Sequence, residues 1–140
     1  MTRRFSLMAL AITAALVFPA IVRAVSIQGV AHNVPYVIGF RPLNTQQHPF
    51  LGQMHLNFNN GIISGTYTDL SVRPGSPFAN ARNIPVSGGV SKSHITLVIR
   101  QVTFRGTMDG ETMSGSATIN GTIFEFKARQ GTPGSGQSPM

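Results

Sequence analysis

The sequence predicts an all-β protein: a small antiparallel up-and-down β-barrel of seven to eight strands, preceded by an N-terminal signal peptide. Three observations predict it. Apolar and polar residues alternate with a period of two through most of the chain after residue 24. Three Asn-Gly or Asp-Gly pairs join alternating segments, the strongest short-range hairpin cue. Helical periodicity is nearly absent from the same region. With 140 residues, one domain is the natural count. Only 11% of them are charged, against about 25% in ordinary globular proteins, so a solvating, disordered chain is not expected. The lack of Cys excludes disulfide frameworks, thiolate zinc sites, Cys nucleophiles and a lipidated Cys anchor.

The leader comes first. Arg3 and Arg4 precede an apolar run from Phe5 to Val22, Pro19 interrupts that run near its end, and Val22-Arg23-Ala24 offers a small residue for cleavage. This is the layout of a secretory signal, so residues 1–24 are expected to be removed and the product to be secreted or periplasmic. An uncleaved anchor is the alternative, because about 18 apolar residues just span a bilayer. No later segment is apolar enough to do so as a helix, and no stable membrane span is expected after cleavage.

Arg3, Arg4 and Arg23 lie in the leader, which leaves eight basic against four acidic residues and a net +4. The remaining cations are scattered, a pattern that serves solubility rather than nucleic-acid binding. Residues 130–140, QGTPGSGQSPM, read as a flexible Gly/Pro/Ser-rich tail, so the barrel domain is expected over residues 25–129.

A first strand is expected within Val34 to Phe40, where Tyr36, Ile38 and Phe40 alternate, although Pro35 weakens it. Met54, Leu56 and Phe58 alternate up to the Asn60-Gly61 turn, and Ile63, Gly65 and Tyr67 alternate beyond it. Ile84 and Val86 begin a short strand that runs into Gly88-Gly89. Ile95, Leu97 and Ile99 form the next alternation, followed by Val102, Phe104 and Met108. Arg100-Gln101 is a poor turn by residue type, so residues 94–108 read either as two strands or as one long bent strand. Asp109-Gly110 is the second turn, Met113, Gly115, Ala117 and Ile119 alternate after it, and Asn120-Gly121 leads to Phe124, Phe126 and Ala128.

One apolar face per strand requires those faces to be pooled, and closure into a barrel also removes unpaired edges. A two-sheet sandwich is the runner-up. A transmembrane barrel is disfavoured, because strands of about seven residues fall below the ~9–11 needed and the outer faces are rich in Thr and Ser.

A barrel of this gauge is either filled by its own side chains or holds one small ligand. Gly65, Gly88, Gly106, Gly115 and Ala117 are tiny inward positions, which leave a void or else relieve coiling at barrel corners. Tyr67 carries the strong polar group expected on an inward face, with no side-chain partner evident. The longest connection, Leu70 to Arg82, reads as a lid or a surface loop. Its Arg73, Arg82 and exposed-looking Phe78 suit an apolar ligand with an anionic group at the barrel mouth.

Catalytic signatures are missing. The four acids, Asp69, Asp109, Glu111 and Glu125, form no acid–base pair. His32, His48, His55 and His94 have no metal-ligand spacing, and no serine sits in a nucleophile-elbow context. Asn120-Gly121-Thr122 is formally a glycosylation sequon, which its role as a hairpin turn explains. No enzyme activity, metal or cofactor is expected.

NNGIISGTYTDLS (59–71), RNIPVSGGV (82–90) and TFRGTMDG (103–110) stand in the order of the middle strands of avidin-type barrels, which the chain resembles. That family consists of secreted eight-stranded barrels that bind biotin, commonly as dimers or tetramers. The resemblance implies the architecture, permits an oligomer, and aligns Tyr67 with the family tyrosine that bonds the ureido oxygen. The tryptophans that wall the family's pocket are missing, and Phe104 stands near the position of one. Biotin is therefore not the implied ligand. Lipocalin-like barrels share the pattern at this level.

The expected role is a non-catalytic binding module for a small, mostly apolar ligand, with Tyr67, Arg73, Phe78, Arg82 and Phe104 as candidate site residues. The alternative is a filled barrel that acts through its surface as an interaction, inhibitor or structural component.

Overall fold

A computed structural model describes residues 29–72 and 74–133; the expected leader lies outside the described residues. Eight strands follow one another: β1 (Val30–Pro42), β2 (Phe50–Asn59), β3 (Ile62–Asp69), β4 (Ile84–Ser91), β5 (His94–Ile99), β6 (Val102–Asp109), β7 (Thr112–Ile119) and β8 (Thr122–Gln130). Each pairs antiparallel with the next, and β8 pairs with β1, so the sheet closes into a barrel with no free edge.

The alternation sets which side faces inward. Leu56, Leu97 and Phe126 are buried, as are Ile38, Phe40, Met54, Ile95, Ile99 and Phe104. Outward neighbours such as Ser114, Arg105 and Lys127 are exposed. Across β1 and β8 the outward pair Arg41 and Glu125 stands in register and closes a 3.0 Å salt bridge.

The turns divide the molecule into two ends. One end carries the tight turns 60–61, 92–93 and 110–111, together with the start of β1 and the finish of β8. There Asn60 N–H donates to Gly29 O and Gly131 N–H to Pro35 O. The opposite end carries turns 100–101 and 120–121 and the two long connections, 43–49 and 70–83. We call these the far end and the lid end.

Several sequence expectations change. β1 is much longer than Val34–Phe40, because a bulge between Ala31 and Val34, with Asn33 at φ +54°, carries pairing past an irregular stretch. Pro35 is tolerated because it pairs only with β2; pairing with β8 begins at Tyr36. β1, β2 and β8 have 13, 10 and 9 residues, longer than the expected seven. Residues 94–108 are two strands: Arg100 adopts φ +48°, the left-handed conformation a two-residue hairpin turn requires at its first position. The second turn is Gly110-Glu111 rather than Asp109-Gly110, since Asp109 still pairs with Thr112. β4 runs through Gly88-Gly89 to Ser91, and β8 includes Gln130, which the sequence assigned to the tail.

The inward glycines mark close strand contacts rather than a void. A Cβ on Gly106 would overlap the backbone of Ser114 and Gly115, and one on Gly115 would overlap Arg105 and Gly106. Gly65 and Gly88 meet the backbones of His55 and Thr96 in the same way. These glycines let neighbouring strands approach where the sheet coils, as barrel corners require.

Candidate functional site

The lid end collects most of the aromatic side chains. Phe40 comes from β1, Phe50 from β2, Tyr67 from β3, Phe104 from β6, and Phe124 and Phe126 from β8; each sits on an inward position of its strand. Their rings form a continuous cluster, with Phe40 against Phe50 at 5.8 Å and Phe104 edge-on to Phe126 at 5.3 Å between centroids. The last ring in the cluster comes from no strand. Phe78, on the 70–83 connection, turns inward and is 1% exposed. Its ring lies 5.3 Å from Tyr67, 5.6 Å from Phe40 and 6.2 Å from Phe104. The expectation of an exposed Phe78 is thus corrected. A loop residue carries no periodicity that reveals its direction, while the apolar barrel mouth offers its ring a place out of water.

Local hydrogen bonds hold the loop in this position. Asp69 N–H donates to Ala81 O at 2.9 Å, and Leu70 N–H to Leu51 O at 2.8 Å, joining both stems of the loop to the barrel wall. Ser71 Oγ accepts from Leu51 N–H and donates to Leu51 O. Ser76 Oγ donates to the Asp69 carboxylate at 3.0 Å and accepts from Phe78 N–H at 3.2 Å. Asp69 therefore anchors the residue that orients Phe78.

Tyr67 does have a side-chain partner, contrary to the sequence expectation: its hydroxyl donates to Asp69 Oδ1 across a long 3.4 Å. Asp69 falls two residues beyond Tyr67, on the same face of β3, and a count by two would have found it. Gly52 makes room for the phenol, since a Cβ there would stand 2.5 Å from Tyr67 Cζ. Burial, and then the Asp69 charge, push the Tyr67 hydroxyl well above the ordinary tyrosine range, with Arg100 opposing. It remains a protonated donor.

The candidate residues therefore separate. Tyr67, Phe78 and Phe104 meet inside the barrel. Arg82 is exposed and lines an outer hollow of about 360 Å³ with Thr68, Asp69, Leu70, Ser71, Asn80 and Ala81. Arg73 lies outside the described residues. Among the described residues no group of three His, Cys, Asp or Glu is placed to hold a metal ion. No helix among them is long and apolar enough to cross a membrane.

The arrangement can do two things chemically. It offers an apolar ring cluster to anything that takes the place of Phe78, and it offers the Tyr67 hydroxyl and Asp69 carboxylate at the margin of that cluster. The chain matches no protein-family model, no curated protein and no solved structure in comparisons with known proteins.

Proposed function

We propose that this is an exported, non-catalytic binding module that takes a small, mostly apolar ligand at the lid end, where the ligand displaces the Phe78 ring. One observation carries the reading: a central ring of the aromatic cluster is delivered by a loop and not by a wall. A ring on a connection withdraws by loop movement alone, leaving the closed sheet intact. Withdrawing it exposes a Phe side chain whose burial is worth about 1.5–3 kcal/mol, so the plug sets a threshold that the ligand must exceed.

A second reading is supported by the packing itself. Ring centroids 5.3–6.2 Å apart around Phe78 fill the lid end of the interior. On that reading the barrel is solid and acts through its Thr/Ser-rich exterior. Fluorescence titration of the purified chain with N-phenyl-1-naphthylamine separates the two. Ligand binding predicts saturable one-to-one uptake by the wild-type protein, tightened about tenfold in Phe78→Ala as the plug is removed. Uptake by Phe78→Ala alone, with none by wild type, would leave only an engineered cavity and favour the solid barrel.

A further inference from the structure

The far end of the barrel holds two polar atoms that the aromatic end has no counterpart for. The Tyr36 hydroxyl and Gln130 Oε1 are buried, and neither has a hydrogen-bond partner among the described residues. They are not scattered: Tyr36 on β1 and Gln130 on β8 are register partners and both occupy inward positions. The sequence points to Tyr67 as the inward polar residue and to Gln130 as part of the tail, so this pair emerges only when β8 closes against β1. Tyr36 is fully buried, its ring 6.4 Å from Phe58. Gln130 is fixed by its backbone, its N–H donating to Glu111 O at 2.8 Å.

A buried hydroxyl or amide without a partner costs about 1–3 kcal/mol, and two at one register position compound that cost. Natural cores meet such a cost by enclosing a small molecule that bonds both groups. We propose that the far end is a binding site for one small, neutral hydrogen-bonding group, held between the Tyr36 hydroxyl and the Gln130 side-chain amide. The group must donate, because Gln130 Oε1 only accepts, and it must accept if the phenol O–H is to be used as a donor. A water, an alcohol or a primary amide meets that requirement. The neighbouring Glu111 disfavours an anion: burial first, and then its charge, raise the Tyr36 hydroxyl above the ordinary range and keep it protonated. This site is distinct from the ligand position proposed at the lid end and does not depend on it.

The test turns on the sign of a substitution. If the hydroxyl has no partner, Tyr36→Phe removes a penalty and raises Tm. If it holds a bound group, Tyr36→Phe removes that bond and lowers Tm by several degrees, as Gln130→Met also does. The double variant Tyr36→Phe/Gln130→Met then recovers most of the loss, because an apolar pair needs no guest. We expect the lowered Tm in both single variants and recovery in the double. A Tm raised or unchanged in Tyr36→Phe overturns the proposal. A crystal structure showing the two side chains bonded directly to each other, or to protein groups, overturns it equally. Crystals grown without additive and with n-propanol or acetamide distinguish the source: density that is constant identifies a resident water, and density that grows with the probe identifies an exchangeable ligand group. Either supports the site.

Discussion

The lid end and the far end are built on the same eight strands and solve the same problem differently. At the far end three two-residue turns close the strands, and among the described residues the interior there is finished by strand side chains, with the Tyr36 hydroxyl and Gln130 Oε1 unpartnered. At the lid end the 70–83 connection folds back, and Phe78 fills the mouth while Tyr67 and Ser76 both donate to Asp69. The contrast teaches that in a small closed barrel the connection length decides the character of each mouth. A tight turn leaves the lining as the strands supply it; a long connection adds a side chain of its own.

The largest expected effect tests whether the lid ring belongs to the wall. Phe104→Ala should cost about 3–5 kcal/mol, since strand β6 is held on both edges and the cavity cannot collapse. Phe78→Ala should cost at least about 1 kcal/mol less, because a loop resettles more readily than a paired strand. Urea unfolding with unchanged m-values provides the comparison. Equal losses would mean that the loop carrying Phe78 is as rigid as the barrel wall.

Alkaline stability samples both ends with one probe each. Tyr36 and Tyr67 are held protonated above the ordinary tyrosine value of 10.0, so the unfolded chain releases two protons first. Their contribution is whole below pH 10 and is lost as the pH rises, by about 1.4 kcal/mol per pH unit for each tyrosine. Replacing either by Phe should halve that part of the slope, measured by unfolding between pH 9.5 and 11.5. A slope unaffected by one substitution would show that phenol to be open to solvent.

A smaller effect should be confined to one end. Asp69→Asn weakens the acceptor that holds Ser76 and Tyr67, at a cost of about 1 kcal/mol. Hydrogen exchange should quicken over residues 70–83 while the amides of turns 60–61, 92–93 and 110–111 keep their wild-type rates. Uniform quickening at both ends would separate Asp69 from the lid.

Much of the barrel could be read from the chain before any coordinates. Asn60-Gly61 and Asn120-Gly121 are turns with left-handed residues, and the alternation placed Leu56, Leu97 and Phe126 inside. What escaped has physical reasons. Arg100-Gln101 and Lys92-Ser93 are turns because the flanking strands force them, against residue preference. An inward glycine reads equally as a gap or as a close approach until strand stagger is known, and here Gly106 and Gly115 are the latter. Phe78 belongs to no period, so only the apolar mouth above Tyr67 reveals where it goes. Asp69 was within reach of the two-residue count on β3, whereas the facing of Tyr36 and Gln130 depended on closure between the first and last strands.

Strand β1 enters and β8 leaves at the same rim, opposite the 70–83 connection. A tether joined directly to Gly29 or Pro133 therefore holds the barrel by the rim opposite that connection. Held in that way, the molecule presents the loop that carries Phe78 outward, like a cup standing on its foot.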